Sequence, residues 1–307
     1  QMLNAKAQNK PITLSTIYWP SFELEKNGQF GMRGMISKVL SINNIESLKA
    51  IYKYFIKNEK NKGTKYLMTH SFDSMQIEIL KNCEWFLPNS VSEMDMISKY
   101  IKFDTRNYNV VPNAVDIENV NDIKYTNEFE KYRGYILSVG RIETRKNQLN
   151  LLKAIEGTDY KLLLVGKVAP GHKKYAKQVL DIVNKKDNIE YIESIDNDKL
   201  YSLYKVCKVH VLPSWFETPG LVSLEAGAMG ASIVVSDRGT TRDYFKECAY
   251  YCQPNDISSI KKAIDSAYNE QKNTAKLRNM IVNDYTWDKA AQATLEGYKS
   301  AIKIHKK

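Results

Sequence analysis

The sequence of 307 residues has only four cysteines, and no apolar run approaches the roughly 18 residues of a membrane-spanning helix. Cys83, Cys207, Cys248 and Cys252 are too few and too irregularly spaced to predict a disulfide framework. No Cys/His cluster follows the last pair, so a metal site is not expected. The first residues lack the apolar core of a signal peptide, and no repeat or low-complexity tract is present. What remains is a globular chain long enough for two domains.

Basic residues outnumber acidic ones, 45 against 35, which gives a net charge of +10. This excess favours anionic partners: phosphorylated substrates, an anionic membrane surface or nucleic acid. A solvated, lysine-rich surface is the alternative, and the basic stretch Asn58–Lys65 fits that interpretation first and a membrane contact second. A nucleic-acid module would interleave aromatic and basic side chains on one face. The lysines are scattered instead, so we do not expect nucleic-acid binding.

Short β-rich runs alternate with amphipathic helical stretches, which is typical of a parallel sheet covered by helices. In the first part of the chain, this pattern predicts strands at Ile12–Trp19, Cys83–Ser90 and Tyr108–Asp116, and helices at Met35–Lys57 and Val91–Ile101. Ser90 is the expected N-cap of the second helix. Three strands are too few for a complete doubly wound domain, so this part is predicted to be incomplete or reduced.

A polar stretch, 118–133, is interpreted as an interdomain connection, and a fresh series of β-α units begins at Gly134. The predicted strands are Tyr135–Gly140, Tyr160–Gly166, Ile189–Ile192, Val209–Pro213 and Ser232–Asp237. Leu221–Gly230 has the composition of a buried helix. Thr286–Ile304 is a periodic final helix, with Trp287 and Leu295 among its apolar positions. Five such units make a complete doubly wound domain.

Ligands bind at the carboxyl ends of strands in such sheets, and two glycines mark those ends. Gly140 is followed by Arg141, Arg145 and Lys146, a basic group that suits a diphosphate. Gly166 would let a base or ribose approach the backbone closely. A basic βα loop and a tight turn are the simpler alternatives for these two segments.

A third candidate follows the strand that ends at Pro213. Glu217 lies in the loop, and a helix is predicted to begin near Gly220, where free N–H groups favour a phosphate. Glu225 lies eight residues after Glu217, inside an otherwise apolar helix. A carboxylate there needs hydrogen-bond partners, and a ribose diol would supply them; a local cap or salt bridge is the alternative.

Several segments resemble glycosyltransferase family 4, the group 1 glycosyl transferases with the GT-B fold. PSWFETPGLVSLEAGAMG resembles the family's two glutamates separated by seven residues, and SVGRIETRKN resembles its upstream basic element. LPNSVSEMDMI and VVPNAVD look like the end of the family's N-terminal domain, and YTWDKAA looks like the start of its final helix. The resemblance covers about Cys83 to Lys307.

The resemblance implies an α/β, GT-B-like chain with two Rossmann-like domains, the N-terminal one incomplete. Residues 1–117 would form the acceptor-side domain, 118–133 the connection, 134–285 the nucleotide-sugar domain, and 286–307 a helix crossing back to the first domain. The implied activity is retaining transfer of a sugar from a UDP- or GDP-sugar to a glycan or lipid-linked acceptor, without a metal or other cofactor. We expect a cytoplasmic protein, peripheral at the inner membrane face.

The resemblance also implies roles for individual residues. Arg141 and Lys146 would hold the donor diphosphate, Glu217 the transferred sugar and Glu225 the ribose. Backbone after the strand Ile189–Ile192 would contact the base. The full set of implied donor contacts, besides the catalytic Glu217, Arg141 and Lys146, is Gly140, Gly166, Ile192, Glu193, Ile195, Thr218, Pro219, Gly220, Leu221, Val222 and Glu225.

The sequence also departs from the family pattern. Pro219 stands where an aromatic or small residue is frequent, and no Gly-rich loop precedes Ile12–Trp19. Tyr18 and Trp19 occupy the place where the family often has a histidine. These departures keep one alternative open, a catalytically silent relative that binds a sugar nucleotide or serves as a partner subunit.

Two other signals are interpreted as structural. Asp196, Asn197 and Asp198 spell a D-x-D metal motif, but they precede a helical segment and are expected to cap it. His210 lies within a predicted strand and is expected in the core.

Overall fold

The computed structural model describes residues 2–20, 40–116, 120, 127–270 and 273–306. The chain divides into two compact units: Gln1–Pro112 with Ala291–Lys307, and Asn113–Ala290. Within the described ranges, no helix is long and apolar enough to cross a membrane.

The first unit combines short strands with helices. Its elements before Pro112 are α1 (Met2–Ala7), β1 (Thr13–Leu14), α2 (Ile42–Phe55), α3 (Lys62–Thr69), α4 (Phe72–Lys81), β2 (Trp85–Phe86) and α5 (Val91–Ile101). The two strands pair in parallel, with Thr13 opposite Trp85. The core of this unit consists of Leu80, Phe86, Met94, Ile97 and Ile101.

Helix α5 shows how a polar cap starts a helix in this unit. The Ser90 hydroxyl accepts a hydrogen bond from the Glu93 N–H at 3.2 Å, so the predicted N-cap and helix bounds are confirmed. The Glu93 carboxylate is fully buried and accepts from the N–H groups of Tyr18 (2.5 Å) and Asn89 (2.7 Å). One side chain thus joins the segments that follow β1 and β2.

The strand predictions for this unit are too long. The strand predicted at Ile12–Trp19 is two residues, Thr13–Leu14, and that at Cys83–Ser90 is Trp85–Phe86. The strand predicted at Tyr108–Asp116 is wrong: this segment makes only isolated bridges, and Pro112 in its middle has no N–H for a ladder. The helix predicted from Met35 is observed at Ile42–Phe55; its residues 35–39 lie outside the described residues.

The second unit contains a six-stranded parallel sheet. Its strands are β3 (Ile136–Val139), β4 (Leu162–Val165), β5 (Ile189–Ile192), β6 (Val209–Leu212), β7 (Ser232–Ser236) and β8 (Tyr250–Cys252). The order across the sheet is β5-β4-β3-β6-β7-β8, so β3 and β6 are central neighbours and the chain changes direction between them. Apolar clusters cover both faces, which explains why every residue of strands β3, β4 and β6 is buried.

Helices connect these strands, and they confirm most of the predicted alternation. They are α6 (Gln148–Ala154), α7 (Lys173–Val183), α8 (Asn197–Val206), α9 (Leu221–Ala228), α10 (Thr241–Phe245), α11 (Ile257–Glu270) and α12 (Thr274–Asp284). Strand β8 is additional to the five predicted strands. The polar stretch 118–133 contains a 3₁₀ helix, Asn127–Tyr132, whose Phe129 and Tyr132 are buried in the core of this unit.

The last helix, α13 (Trp287–His305), forms as predicted, and two of the apolar residues that define its periodicity are exposed. Trp287 is 67% exposed and Leu295 is 51% exposed. Its packed positions are small: Ala301 is buried, and a Cβ at Gly297 would lie 2.3 Å from a Leu87 methyl carbon. Residues from Ala291 onward belong to the first unit, and the helix packs within that unit through Gly297 and Ala301.

Candidate active site

Two loops leave the sheet side by side at its carboxyl edge, because β3 and β6 are neighbours and parallel. The loop after β3 carries residues 140–147, and the loop after β6 carries residues 213–220. Between these strands the order of the sheet reverses, which is where open α/β sheets bind ligands. The topology therefore brings the two strongest sequence candidates to one place.

Glu217 lies at the centre of these loops and is held by two cations. The Lys146 Nζ donates to Glu217 Oε1 at 2.6 Å, and Arg145 Nη1 donates to the same oxygen at 2.9 Å. Side-chain exposure is 7% for Glu217, 11% for Lys146 and 26% for Arg145. Burial opposes ionisation of Glu217, but the two cations outweigh it and lower its pKa below the usual value. Glu217 is thus an anion at neutral pH, held in one position.

Arg145 binds Glu217 directly, a role that was not predicted from the sequence. Its Nη1 also donates to the Phe216 carbonyl at 3.1 Å, and its Nη2 donates to Glu143 at 3.0 Å. Glu143 is buried and lies 3.4 Å from Arg141 Nη2 through its other carboxylate oxygen. Arg141 itself is 61% exposed. The pattern R-x-E-x-R, in which one carboxylate spaces two guanidinium groups, was the available signal for Glu143 and Arg145.

A sharp turn aims Lys146 at Glu217. The 3₁₀ turn Thr144–Lys146 is followed by Asn147 in the left-handed region (φ 61°). The Asn147 amide donates to the Pro213 carbonyl at 3.0 Å and to the Pro254 carbonyl at 2.7 Å, which joins the β3 loop to the β6 loop. A Cβ at Gly140 would lie 3.3 Å from Lys146 Cε, so the lysine stem lies across the glycine.

The Glu217 backbone is fixed from the opposite side. The Thr240 N–H donates to its carbonyl at 3.0 Å. Gly239 has a φ of 86°, and a Cβ there would lie only 2.0 Å from the Glu217 carbonyl oxygen. Gly239 is therefore required for this close approach, and sequence reasoning missed it. The loop continues through a cis peptide bond between Thr218 and Pro219.

Helix α9 begins directly after this loop. Gly220 is its N-cap, with a φ of 83°, and has no side chain to accept from the first turn. The N–H groups of Gly220, Leu221 and Val222 have no acceptor within the helix because of their position at its start. Leu221 is 45% exposed, so this N-terminus is accessible. Such an end attracts anions.

Glu225 lies in the second turn of α9. The Tyr204 hydroxyl donates to its Oε2 at 3.0 Å. Burial raises the Glu225 pKa, and the Tyr204 bond only partly offsets this effect. Because burial disfavours the ionised form of Glu225, its carboxylate is suited to accept a hydrogen bond from a further hydroxyl group.

Gly166, Ile192, Glu193 and Ile195 lie at the same edge, after β4 and β5. The Gly166 N–H donates to the Ile192 carbonyl at 3.0 Å. A Cβ at Gly166 would lie 2.2 Å from the Gly140 carbonyl oxygen, so contact with its own chain is enough to require this glycine. Glu193 is exposed and Ile195 is half-buried.

Asp196 and His210 were interpreted from the sequence as structural residues, not as ligands or catalytic groups. Asp196 occupies the N-cap position of α8, although its side chain makes no capping hydrogen bond. His210 is fully buried in β6, which confirms its core position, and its Nδ1 lies 3.3 Å from the Ser223 hydroxyl. Burial, reinforced by the Lys146 charge, lowers the His210 pKa to about 3, so the ring is neutral. Across the part of the chain that the structure describes, no three His, Cys, Asp or Glu side chains are grouped to hold a metal ion.

The fold and the carboxyl-edge loops place the chain in a recognisable class. It has an α/β fold with a parallel Rossmann-like sheet, and its structural neighbours are GT-B-like. A glycosyltransferase from Rickettsia africae superposes with a TM-score of 0.67 at 16% identity, covering 98% of this chain and 92% of that one. A sucrose-phosphate synthase from Thermosynechococcus elongatus gives a TM-score of 0.61 at 19% identity, covering 83% and 66%.

The family follows from the sequence of the second unit. Residues 120–285 match the family described as "Glycosyl transferases group 1", and the chain belongs to that family. It is 28% identical over 183 residues to a glycosyltransferase of Methanocaldococcus jannaschii, covering 55% of this chain and 45% of that protein. It is 26% identical over 218 residues to the O-antigen chain mannosyltransferase RfbU of Salmonella typhimurium, covering 69% and 59%. The chain thus spans about half the length of the curated relatives it matches.

Proposed function

We propose that the protein transfers a sugar from a nucleotide-diphosphate sugar to a glycan or lipid-linked acceptor, with retention at the anomeric carbon. The observation that carries this proposal is the junction of Lys146, Arg145 and Glu217 beside the start of α9. Three cations, Arg141, Arg145 and Lys146, face two carboxylates, Glu143 and Glu217, which leaves one positive charge in excess. A donor diphosphate would meet that excess together with the helix N–H groups.

The proposed role of each residue follows from its position in the site. Lys146 and Arg141 hold the diphosphate, and the N–H groups of Gly220–Val222 donate hydrogen bonds to its remaining oxygens. Glu217, kept anionic by Lys146 and Arg145, accepts hydrogen bonds from hydroxyls of the transferred sugar. Glu225 accepts from the ribose, and the segment Ile192–Ile195 lies against the base.

Catalysis would then consist mainly of charge stabilisation. The bond from the anomeric carbon to the diphosphate oxygen breaks, and the electron pair leaves with the diphosphate. Lys146, Arg141 and the start of α9 stabilise that charge as it develops. The acceptor hydroxyl forms the new bond on the same face, and its proton passes to the departing phosphate.

The donor is proposed to be a UDP- or GDP-sugar, and the transfer is proposed to proceed without a metal cofactor. Two relatives bear the name O-antigen mannosyltransferase, so mannose is the first sugar to test. We assign the donor domain to 134–285 and the acceptor side to the first part of the chain.

A thermal-shift panel of nucleotide sugars tests donor binding. A donor at about 100 times its dissociation constant stabilises by about 2.7 kcal/mol. For a unit of the size of Asn113–Ala290, that is a rise in Tm of about 5–11 °C. Arg141→Ala and Lys146→Ala should abolish the rise, whereas Lys153→Ala, an exposed lysine on α6, should leave it unchanged.

Release of the nucleoside diphosphate separates an active enzyme from a silent sugar-nucleotide binder. The proposal requires release in the presence of an acceptor glycan. A donor-dependent rise in Tm without release for any acceptor would favour the silent relative. If no nucleotide sugar raises Tm, the donor site itself is misassigned.

A further inference from the structure

We propose that helix α2 is an in-plane membrane contact that docks the first unit on an anionic lipid surface. The proposal rests on an apolar stripe that faces outward from the unit, which we call the α2 stripe. Its residues and exposed fractions are Leu48 (55%), Ile51 (42%), Tyr52 (52%), Phe55 (65%) and Ile56 (68%). Vesicle binding through this stripe does not depend on sugar transfer.

The orientation of α2 is the reverse of an ordinary surface helix. The stripe residues recur at i, i+3, i+4, i+7 and i+8, which places them on one side of the helix. On the opposite side, Ala50 is 2% exposed and Tyr54 is half-buried. The unit therefore packs against the side of α2 that carries Ala50 and Tyr54, and it leaves the five large side chains of the stripe mostly in solvent.

Contacts at the start of α2 show that this orientation is built into the unit. The Asn43 amide donates to the Asp73 carboxylate at 2.9 Å, and the Asp73 N–H donates to Asn43 Oδ1 at 3.2 Å. Ser41 caps the first turn of α2. The helix is thus fixed to the start of α4.

The stripe is large enough to mark a binding surface. At about 150–250 Å² for a fully exposed large side chain, its five residues expose on the order of 500 Å². That is the size of the largest apolar patch on a typical monomer, and such patches are often functional.

The positive charge around the α2 stripe favours an anionic membrane as its binding partner. Lys49, Lys53 and Lys57 recur every four residues and flank one side of the stripe. Residues 40–70 contain six lysines and two glutamates, a net charge of +4. All six lysines are exposed: Lys49, Lys53, Lys57, Lys60, Lys62 and Lys65. An apolar face with aromatic residues beside a lysine-rich face is the pattern of a helix that lies in the interface of an anionic bilayer.

The test is flotation of the full chain with two kinds of vesicle. One is phosphatidylcholine alone, and the other contains about one-third phosphatidylglycerol, each at about 0.05 M and 0.5 M salt. We expect binding to the anionic vesicles that weakens at high salt. Absence of binding to anionic vesicles would overturn the proposal.

Paired variants separate the apolar and the charge contributions. Phe55→Ser with Ile56→Ser should weaken binding at least tenfold at either salt concentration, because apolar burial is lost. Lys53→Gln with Lys57→Gln should weaken it about thirtyfold at low salt and little at high salt. The matched controls, Ile257→Ser and Lys173→Gln with Lys174→Gln, alter exposed residues of the second unit and should change nothing.

Two further results distinguish competing surfaces. Leu295→Ser with Ile302→Ser changes exposed residues of α13; loss of binding there, with the α2 pairs unaffected, would contradict the assignment. Light scattering after gel filtration reports the oligomeric state. If Phe55→Ser with Ile56→Ser splits a dimer into monomers, a second copy covers the stripe instead. Unchanged Tm of the variants serves as the control for folding.

Discussion

Replacing Lys146 by alanine should reduce both stability and donor turnover, by amounts that the structure separates. The lysine ammonium lies 2.6 Å from Glu217 Oε1, and both side chains are mostly buried. A charge-assisted hydrogen bond of this kind contributes about 1.5–3 kcal/mol. Arg145 still holds the same oxygen at 2.9 Å, so the carboxylate keeps one partner and the loss should not exceed this range.

The effect on turnover should be larger. Without Lys146, the departing diphosphate loses a point charge next to the start of α9, which corresponds to about 10²–10³ in turnover. The assay is release of the nucleoside diphosphate at saturating donor, with Tm measured on the same preparations. Lys153→Ala is the matched control. If Lys146→Ala keeps its stability loss but retains more than half of the turnover, the lysine is a structural partner of Glu217 and the proposed mechanism is refuted.

Three other substitutions test the surroundings of the site and the first unit. Gly166→Ala should destabilise the second unit by several kcal/mol, measured by urea unfolding, because its Cβ would lie 2.2 Å from the Gly140 carbonyl oxygen and its φ is 146°; a loss below about 0.5 kcal/mol would contradict this. Glu93→Ala should cost about 2–4 kcal/mol in the same assay, since two partly buried N–H groups lose their acceptor, and Glu93→Gln should recover part of that loss. Glu225→Gln should abolish the donor-dependent rise in Tm yet leave the free protein as stable as the parent or more stable at neutral pH, because burial raises the Glu225 pKa and its ionised form is costly.

The pH dependence of the Glu225 effect has a definite sign. A carboxyl group whose pKa is raised on folding binds its proton more tightly in the folded state, so its cost appears as pH rises above the unfolded pKa of about 4.3. The stability advantage of Glu225→Gln should therefore shrink as pH falls toward 4. For Glu217 the sign is opposite, because its pKa is lowered: its contribution is complete above the unfolded pKa and is lost as pH falls through the folded pKa. An advantage of Glu225→Gln that grows on acidification would contradict this account.

Most of the central sheet was predictable because strands β3, β4 and β6 are short, mostly apolar runs that are followed directly by a glycine or proline. Gly140 and Pro213 mark such ends, and parallel topology then brings both loops to one edge. Helix α5 was predictable from Ser90, since a cap acts on N–H groups only a few residues away. Strand ends and helix caps depend on residues close together in the chain, and they can therefore be identified from the sequence alone.

The position of Arg145 on Glu217 was not predictable. Which of two arginines in one loop turns inward depends on the left-handed Asn147, whose amide reaches Pro213 and Pro254, distant in sequence. The packed side of helix α13 was not predictable either. Periodicity identified its apolar positions, but the side that packs is the one with Gly297, where a Cβ would lie too close to Leu87. The strand predicted at Tyr108–Asp116 does not form. Its prediction rested on apolar residues around a proline, and such residues do not by themselves provide a neighbouring strand with which to form a hydrogen-bonded ladder.

The most direct test of the account is a crystal structure of the chain with UDP or GDP bound. We expect the diphosphate to lie within hydrogen-bond distance of Lys146 Nζ and of the N–H groups of Gly220–Val222. We also expect the ribose hydroxyls to contact Glu225. A diphosphate bound at another edge of the sheet, or a ribose remote from Glu225, would contradict the account.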